Sequence, residues 1–193
     1  MRNPALRFLT IVLFIFASGA ACAHPGHNAS GVAAGLAHPF QGLDHLLAMV
    51  AVGLWAAQGG GKRIWLLPAA FMTLLALGAA LASAWQAALP VETGIALSVL
   101  ALGLLVALSR QLPVRFSVAL AALFGLLHGY AHGLELPASA APVEYALGFL
   151  LATAILHLSG IAVGVAARRQ HALLAKMLGA GIAASGVWFL ASA

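Results

Sequence analysis

Charged residues are scarce in this sequence. Only 7% of its 193 residues are charged and 63% are hydrophobic, whereas soluble domains average about 25% charged and about 45–50% apolar residues. Such a composition excludes an ordinary soluble globule, a disordered chain and a nucleic-acid-binding protein. It indicates an integral membrane protein with several helices.

The sequence also has a single cysteine and no P-loop motif for nucleotide binding. The one cysteine, Cys22, excludes a disulfide framework and a cysteine-based zinc site. The sequence has no G-x4-G-K-[ST] loop, so we expect no ATP hydrolysis by this chain. Eight histidines in so apolar a chain are therefore the feature that needs an explanation.

Residues 1–23 have the pattern of a secretory signal peptide. Arg2 and Arg7 form a basic start, residues 8–17 are an apolar run, and the Ala-Cys-Ala sequence that follows suits a cleavage site. We expect cleavage after position 23, which leaves His24 as the first residue of the mature chain.

Two other interpretations apply to the same segment. One is an uncleaved first membrane helix. The other, a lipoprotein site at Cys22, is disfavoured because Gly19 stands where that site needs a Leu-like residue. Cleavage would remove the only thiol, which disfavours a soft Cu(I) pathway.

The mature chain, residues 24–193, is predicted to be one domain of six membrane helices. A spanning helix needs about 20 mostly apolar residues, and short breaks, most of them with Pro or Gly, separate six such stretches. The predicted spans are 38–58, 64–84, 93–109, 116–136, 143–166 and 172–192. The predicted fold is therefore an all-α integral membrane protein with a single helix bundle.

The charges predict the orientation of this bundle. Cleavage places the mature N-terminus in the periplasm, and the basic residues of the mature chain then all fall on the cytoplasmic side of the bacterial inner membrane, as the positive-inside rule requires. These are Lys62, Arg63, Arg110, Arg115, Arg168, Arg169 and Lys176. The four acids, Asp44, Glu92, Glu135 and Glu144, lie toward the other side.

A first motif, H-P-F-Q-G-L-D-H, opens the first mature helix. Its histidines, His38 and His45, are seven residues apart, a step that returns to the same face of an ideal helix. Asp44 flanks that face. Pro39 suits the first position of a helix, so His38 is expected either within the helix or just outside it.

A second motif, H-G-Y-A-H-G-L-E, lies in the fourth mature helix. Steps of four and three residues place His128, His132 and Glu135 within an arc of about 60°. Two imidazoles and a carboxylate on one face form a typical ligand set for a transition metal. The donors suit Ni, Co, Zn, Fe or Mn equally well.

The membrane position of both motifs favours a common site. A charged group near the centre of a spanning helix costs at least about 2.5–3.5 kcal/mol, so such groups pair with one another or with an ion. A single intramembrane histidine is as often a hydrogen-bonded packing residue as a ligand. Two clusters on the same membrane side indicate a metal site made of six residues: His38, Asp44, His45, His128, His132 and Glu135.

Three further histidines are candidate accessory ligands. His24, with the free α-amine that cleavage would create, and His27 could collect metal at the outer mouth or belong to a disordered tail. His157 lies about 21 Å from the outer end of the fifth mature helix. It is either an inner relay or a packing residue.

A stripe of small residues predicts a close helix contact. Gly125, Gly129 and Gly133 follow a G-x3-G-x3-G spacing, which lets helix backbones approach in lipid. We expect the first mature helix as partner. Faint similarity between residues 35–38 and 125–128 also suggests a three-plus-three inverted repeat.

The two motifs resemble those of the HupE/UreJ family. The first matches H-P-x4-D-H, and the second matches F-H-G-x-[AV]-H-G-x-E except that Leu127 stands in place of Phe. The resemblance extends over the signal peptide and the six helices. It implies a nickel or cobalt permease, often linked to hydrogenase or urease maturation, in which the motif His, Asp and Glu residues are needed for transport.

The resulting hypothesis is secondary uptake of Ni²⁺ or Co²⁺, with the ion as cargo and no permanently bound cofactor. The expected partners are the metal ion and the lipid bilayer. The sequence does not decide whether the chain forms a homo-oligomer or has a metal-delivery partner. The alternatives are an intramembrane zinc-dependent hydrolase, with a metal-bound water as nucleophile, and a metal sensor or assembly subunit that binds without transport.

Overall fold

The computed structural model describes residues 31–136, 141–170 and 172–192. Within these ranges the chain is helical, with no strand. The α-helices are α1 (Val32–Ala37), α2 (Leu43–Gly59), α3 (Arg63–Ala84), α4 (Val91–Ala107), α5 (Val114–Leu134), α6 (Pro142–Gln170) and α7 (Ala172–Ser192), and a 3-10 turn (His38–Phe40) joins α1 to α2. The predicted signal peptide, residues 1–23, and the candidate ligands His24 and His27 lie outside the described residues.

The described helices confirm an all-helical chain suited to a membrane. Helices α3, α5, α6 and α7 are each long and apolar enough to cross a bilayer, and α1 with α2 passes the same test as a pair bent by 85°. Helix α4 has 17 residues, so it extends about 26 Å against a hydrocarbon core of about 30 Å. That the chain has six membrane spans therefore stays a prediction.

The first mature helix does not start as predicted. The 3-10 turn ends at Phe40, and α2 begins only at Leu43 after a sharp bend. Gly42 has an extended backbone at this bend, and a Cβ atom there would lie 2.9 Å from Oδ1 of Asp44. The expectation that His38 and His45 share one helix face is therefore wrong: they belong to different elements.

The glycine stripe of α5 packs against α3, so the predicted partner, the first mature helix, is wrong. A Cβ atom added at Gly125, Gly129 or Gly133 would collide with α3 between Phe71 and Ala82. The spacing of small residues describes the surface of one helix, so it predicts that another helix packs closely there. It does not select which helix that is.

Glycines organise the other helices into pairs as well. Gly53 of α2 and Gly160 of α6 each face the backbone of the opposite helix, and Gly103 of α4 and Gly179 of α7 do the same. The glycine-packed pairs are thus α2 with α6, α3 with α5, and α4 with α7. Exchanging α2, α3 and α4 for α5, α6 and α7, in that order, gives the same three pairs, as an inverted repeat of three plus three helices requires. The repeat itself stays a prediction.

Basic and acidic groups lie at opposite ends of the bundle. At one end, the Arg63 guanidinium donates a 2.8 Å hydrogen bond to the carbonyl of Leu112, and Arg168 donates one of 2.8 Å to the carbonyl of Ala57. We call this the basic end. The acidic end holds the start of α2, α4 and α6 and the end of α3 and α5. This separation matches the alternation predicted from the charges.

Candidate metal centre

Three potential ligands meet at the acidic end. Nε2 of His38 lies 2.8 Å from Nδ1 of His132 and 3.2 Å from Oε2 of Glu135. His132 Nδ1 and Glu135 Oε2 are 3.5 Å apart. One ligand atom from each residue lies within 4.8 Å of the others, as metal binding requires. We call these three residues the mouth cluster.

The bend before α2 positions the mouth cluster. His38 lies on the 3-10 turn, which α1 holds against α6 through the close contact of Gly35 with the backbone of Tyr145. The ring of His38 packs 5.7 Å from that of Tyr145, and the ring of His132 lies 4.2 Å from that of Phe149, as measured between centroids. These two aromatic residues, which sequence reasoning missed, limit the orientations open to both imidazoles.

A second group of imidazoles lies beside the mouth cluster. The ring of His45 is 4.2 Å from that of His132 and 5.1 Å from that of His128. His45 Nδ1 lies 2.8 Å from Oδ1 of Asp44, and His128 Nδ1 lies 2.8 Å from the carbonyl of Phe124. Because each Nδ1 faces an oxygen acceptor, it carries the proton, and Nε2 keeps a lone pair that can bind metal. We call His45 and His128 the inner pair.

The buried Nε2 atoms of His45, His128 and His132 have no hydrogen-bond partner in the described part of the chain. Leaving one buried polar atom unsatisfied costs about 1–3 kcal/mol. Three such atoms in adjoining rings would therefore cost several times this free energy if the histidines only packed the core. They are well suited to bind an ion, since imidazole nitrogen is a common transition-metal ligand.

Five of the six predicted ligands lie in two adjoining groups, the mouth cluster and the inner pair, while the sixth, Asp44, contacts Nδ1 of His45. His128 precedes Glu135 by seven residues, a rise of about 10 Å along a helix, which is too far for one ion to contact both. The helix also ends at Leu134, so helical spacing does not place Glu135. The predicted set of His128, His132 and Glu135 is divided between the inner pair and the mouth cluster.

A cavity of about 280 Å³ opens over these groups. It is lined by His38, Gln41, Gly42, Asp44, His45, Glu92, His132 and Glu135. Glu92 comes from the first turn of α4 and was not in the predicted ligand set, although its position at the acidic end was a signal.

Tyr130 fixes the segment that leads to Glu92. Its buried hydroxyl accepts a 2.7 Å hydrogen bond from the Ala87 amide and lies 2.8 Å from the carbonyl of Trp85. This ties the connection before α4 to the second motif. Sequence reasoning could not find the contact, because it joins residues 43 positions apart.

The mutation Asp44→Asn is expected to weaken the affinity of the candidate site for a divalent transition metal by about 10- to 100-fold. Asparagine lacks the negative charge that faces the Nδ1 proton of His45, and its amide can donate to Nδ1, which would move the proton to Nε2. Calorimetric titration of the purified protein in detergent with Ni²⁺ measures the effect. Glu144→Gln is the matched control, because Glu144 is an acid at the same end that does not line the cavity; an equal loss there would show a general charge effect.

A bundle of long apolar helices, with buried imidazoles and partly exposed carboxylates at one end, defines a multi-pass membrane protein with a candidate metal centre. Residues 11–189 match the family model described as HupE / UreJ protein. The chain is 44% identical to protein HupE of Rhizobium leguminosarum bv. viciae over 171 residues, which cover 87% of this chain and 88% of that protein. The chain therefore belongs to the HupE/UreJ family, as its two motifs indicated. No solved structure matches it.

Proposed function

We propose that this chain is a secondary permease that takes up Ni²⁺ or Co²⁺ across the bacterial inner membrane. The observation that carries the proposal is the group of three buried Nε2 atoms, of His45, His128 and His132, without a protein partner among the described residues. They lie next to a cavity that carries carboxylates at its opening. Membership of the HupE/UreJ family supports the same function.

In this proposal the ion enters at the acidic end. The carboxylates of Glu92 and Glu135 attract it and offset its charge where water becomes scarce. His38, His132 and Glu135 then replace part of its hydration shell. The predicted cleavage after position 23 would place His24 and His27 at this opening, where they would collect ions from the periplasm.

The ion then moves to the inner pair. His45 lies between His132 and His128, with ring centroids 4.2 and 5.1 Å away, so an ion can exchange one imidazole for the next without losing all its protein ligands. Asp44 orients His45 and does not need to touch the ion. Release to the cytoplasm requires the helices to move, and because the sequence has no P-loop, an ion gradient or an external partner drives uptake.

Cells that lack their own nickel and cobalt uptake systems provide the test. They would express the native chain or carry an empty vector, and initial uptake of radioactive nickel and cobalt would be compared. The proposal expects accumulation of at least one metal above the vector control. A correctly inserted chain without uptake would overturn it: tightly held zinc would then favour the hydrolase, and stoichiometric nickel without flux would favour the sensor.

A further inference from the structure

His157 is a buried histidine that the proposed site does not use. It lies near the middle of α6 with 1% of its surface exposed. Neither of its ring nitrogens has a hydrogen-bond partner among the described residues. The other four histidines in the described ranges each have at least one ring nitrogen in a hydrogen bond. A packing role therefore explains His157 poorly, because an apolar side chain would fill the space without losing hydrogen bonds.

The ring of Phe71 separates His157 from the inner pair. Its centroid is 5.1 Å from that of His157, with the two planes at 89°, and 5.5 Å from that of His128. His157 thus continues the line of imidazoles that begins at the acidic end, beyond one aromatic ring. The face of such a ring also attracts cations.

Close backbone packing fixes the positions of both rings. A Cβ atom added at Gly53 of α2 would collide with the carbonyl of His157, and one added at Gly125 of α5 would collide with the carbonyl of Phe71. His157 is therefore anchored in the α2 and α6 pair, whereas Phe71 belongs to the α3 and α5 pair. The unsatisfied imidazole lies at a well-packed place in the fold, between two pairs of helices.

We infer that His157 is a second metal-binding station, on the far side of Phe71, which the ion reaches after it leaves His45 and His128. The inference rests on the proposed function and adds an inner step to it. The ligand is a divalent transition-metal ion that passes between the two pairs of helices. One imidazole fills only part of the coordination sphere of nickel or cobalt, so the packed pairs must move apart to admit the other ligands.

The variant His157→Leu tests this station, because leucine fills similar space and has no metal-binding atom. Uptake is expected to fall by about tenfold or more, while the affinity of the remaining sites for Ni²⁺ changes by less than about twofold. Titration of the purified protein should show one ion fewer per chain than in the native protein. His157→Asn, which keeps a donor oxygen, should restore part of the uptake.

Thr153→Val is the matched control. Thr153 is buried one turn earlier on the same helix, where its hydroxyl donates a 2.9 Å hydrogen bond to the carbonyl of Phe149. Native-level uptake by the leucine variant with unchanged stoichiometry would overturn the inference, and so would an equal loss in the Thr153 control. A native chain without uptake would instead defeat the proposed function, whereas the difference in stoichiometry would still report on His157.

Discussion

Replacing His132 by alanine is expected to reduce nickel or cobalt uptake to the background of the host, at least about a hundredfold. His132 is the one residue that contacts both described groups of ligands. Its Nδ1 lies 2.8 Å from His38 and 3.5 Å from Glu135, and its ring lies 4.2 Å from that of His45. Without it, the mouth cluster keeps two ligands and loses its connection to the inner pair.

The measurement compares initial uptake rates at matched amounts of inserted protein. Ser117→Ala is the control, because Ser117 is buried on the same helix near the basic end. Its hydroxyl donates to the carbonyls of Leu112 and Pro113 and, among the described residues, to no candidate ligand. It should transport at close to the native rate. Residual uptake by the His132 variant above a tenth of the native rate would show that the ion does not need this imidazole.

The largest expected effect on stability is that of Gly129→Leu. The free energy of unfolding should fall by about 3 kcal/mol or more. A Cβ atom at this position would collide with the backbone carbonyl of Leu75, which cannot move aside as a flexible side chain can. Helices α3 and α5 would have to separate along the whole stripe from Gly125 to Gly133.

Unfolding by sodium dodecyl sulfate in mixed micelles, followed by circular dichroism, measures this loss. Gly181→Leu on α7 is the control, since a Cβ atom there meets nothing within 4 Å. It should unfold close to the native midpoint. Equal midpoints for the two variants would mean that the α3 and α5 contact contributes little to the stability of the bundle.

The chemistry of the site was more predictable from the sequence than its shape. An unpaired ionisable group inside a bilayer has a high free-energy cost, so such groups must find partners. This cost alone predicts that the histidines of the first motif, His38 and His45, lie close to those of the second, His128 and His132. The bend does not follow: Gly42 permits many backbone angles, and Pro39 suits the start of a helix as well as a 3-10 turn.

Contacts between distant residues were beyond the reach of helical periodicity. The spacing of Gly125, Gly129 and Gly133 is a property of one helix, whereas its partner depends on how all the helices are arranged. The place of Glu92 in the cavity depends in the same way on the connection that Tyr130 holds. A local sequence pattern describes the surface of one helix, and only the folded chain determines which helix packs against that surface.

The glycine contacts also divide the protein into mechanical units. Helices α2 and α6 touch backbone to backbone, as do α3 and α5, so sliding or tilting within a pair meets immediate steric resistance. The candidate metal ligands are divided between these two units: His38 and His45 move with the first, and His128 and His132 move with the second. A rigid rotation of one pair against the other would therefore pull the imidazoles apart without breaking either pair. The interface proposed to bind the ion is thus also the place at which the protein can open.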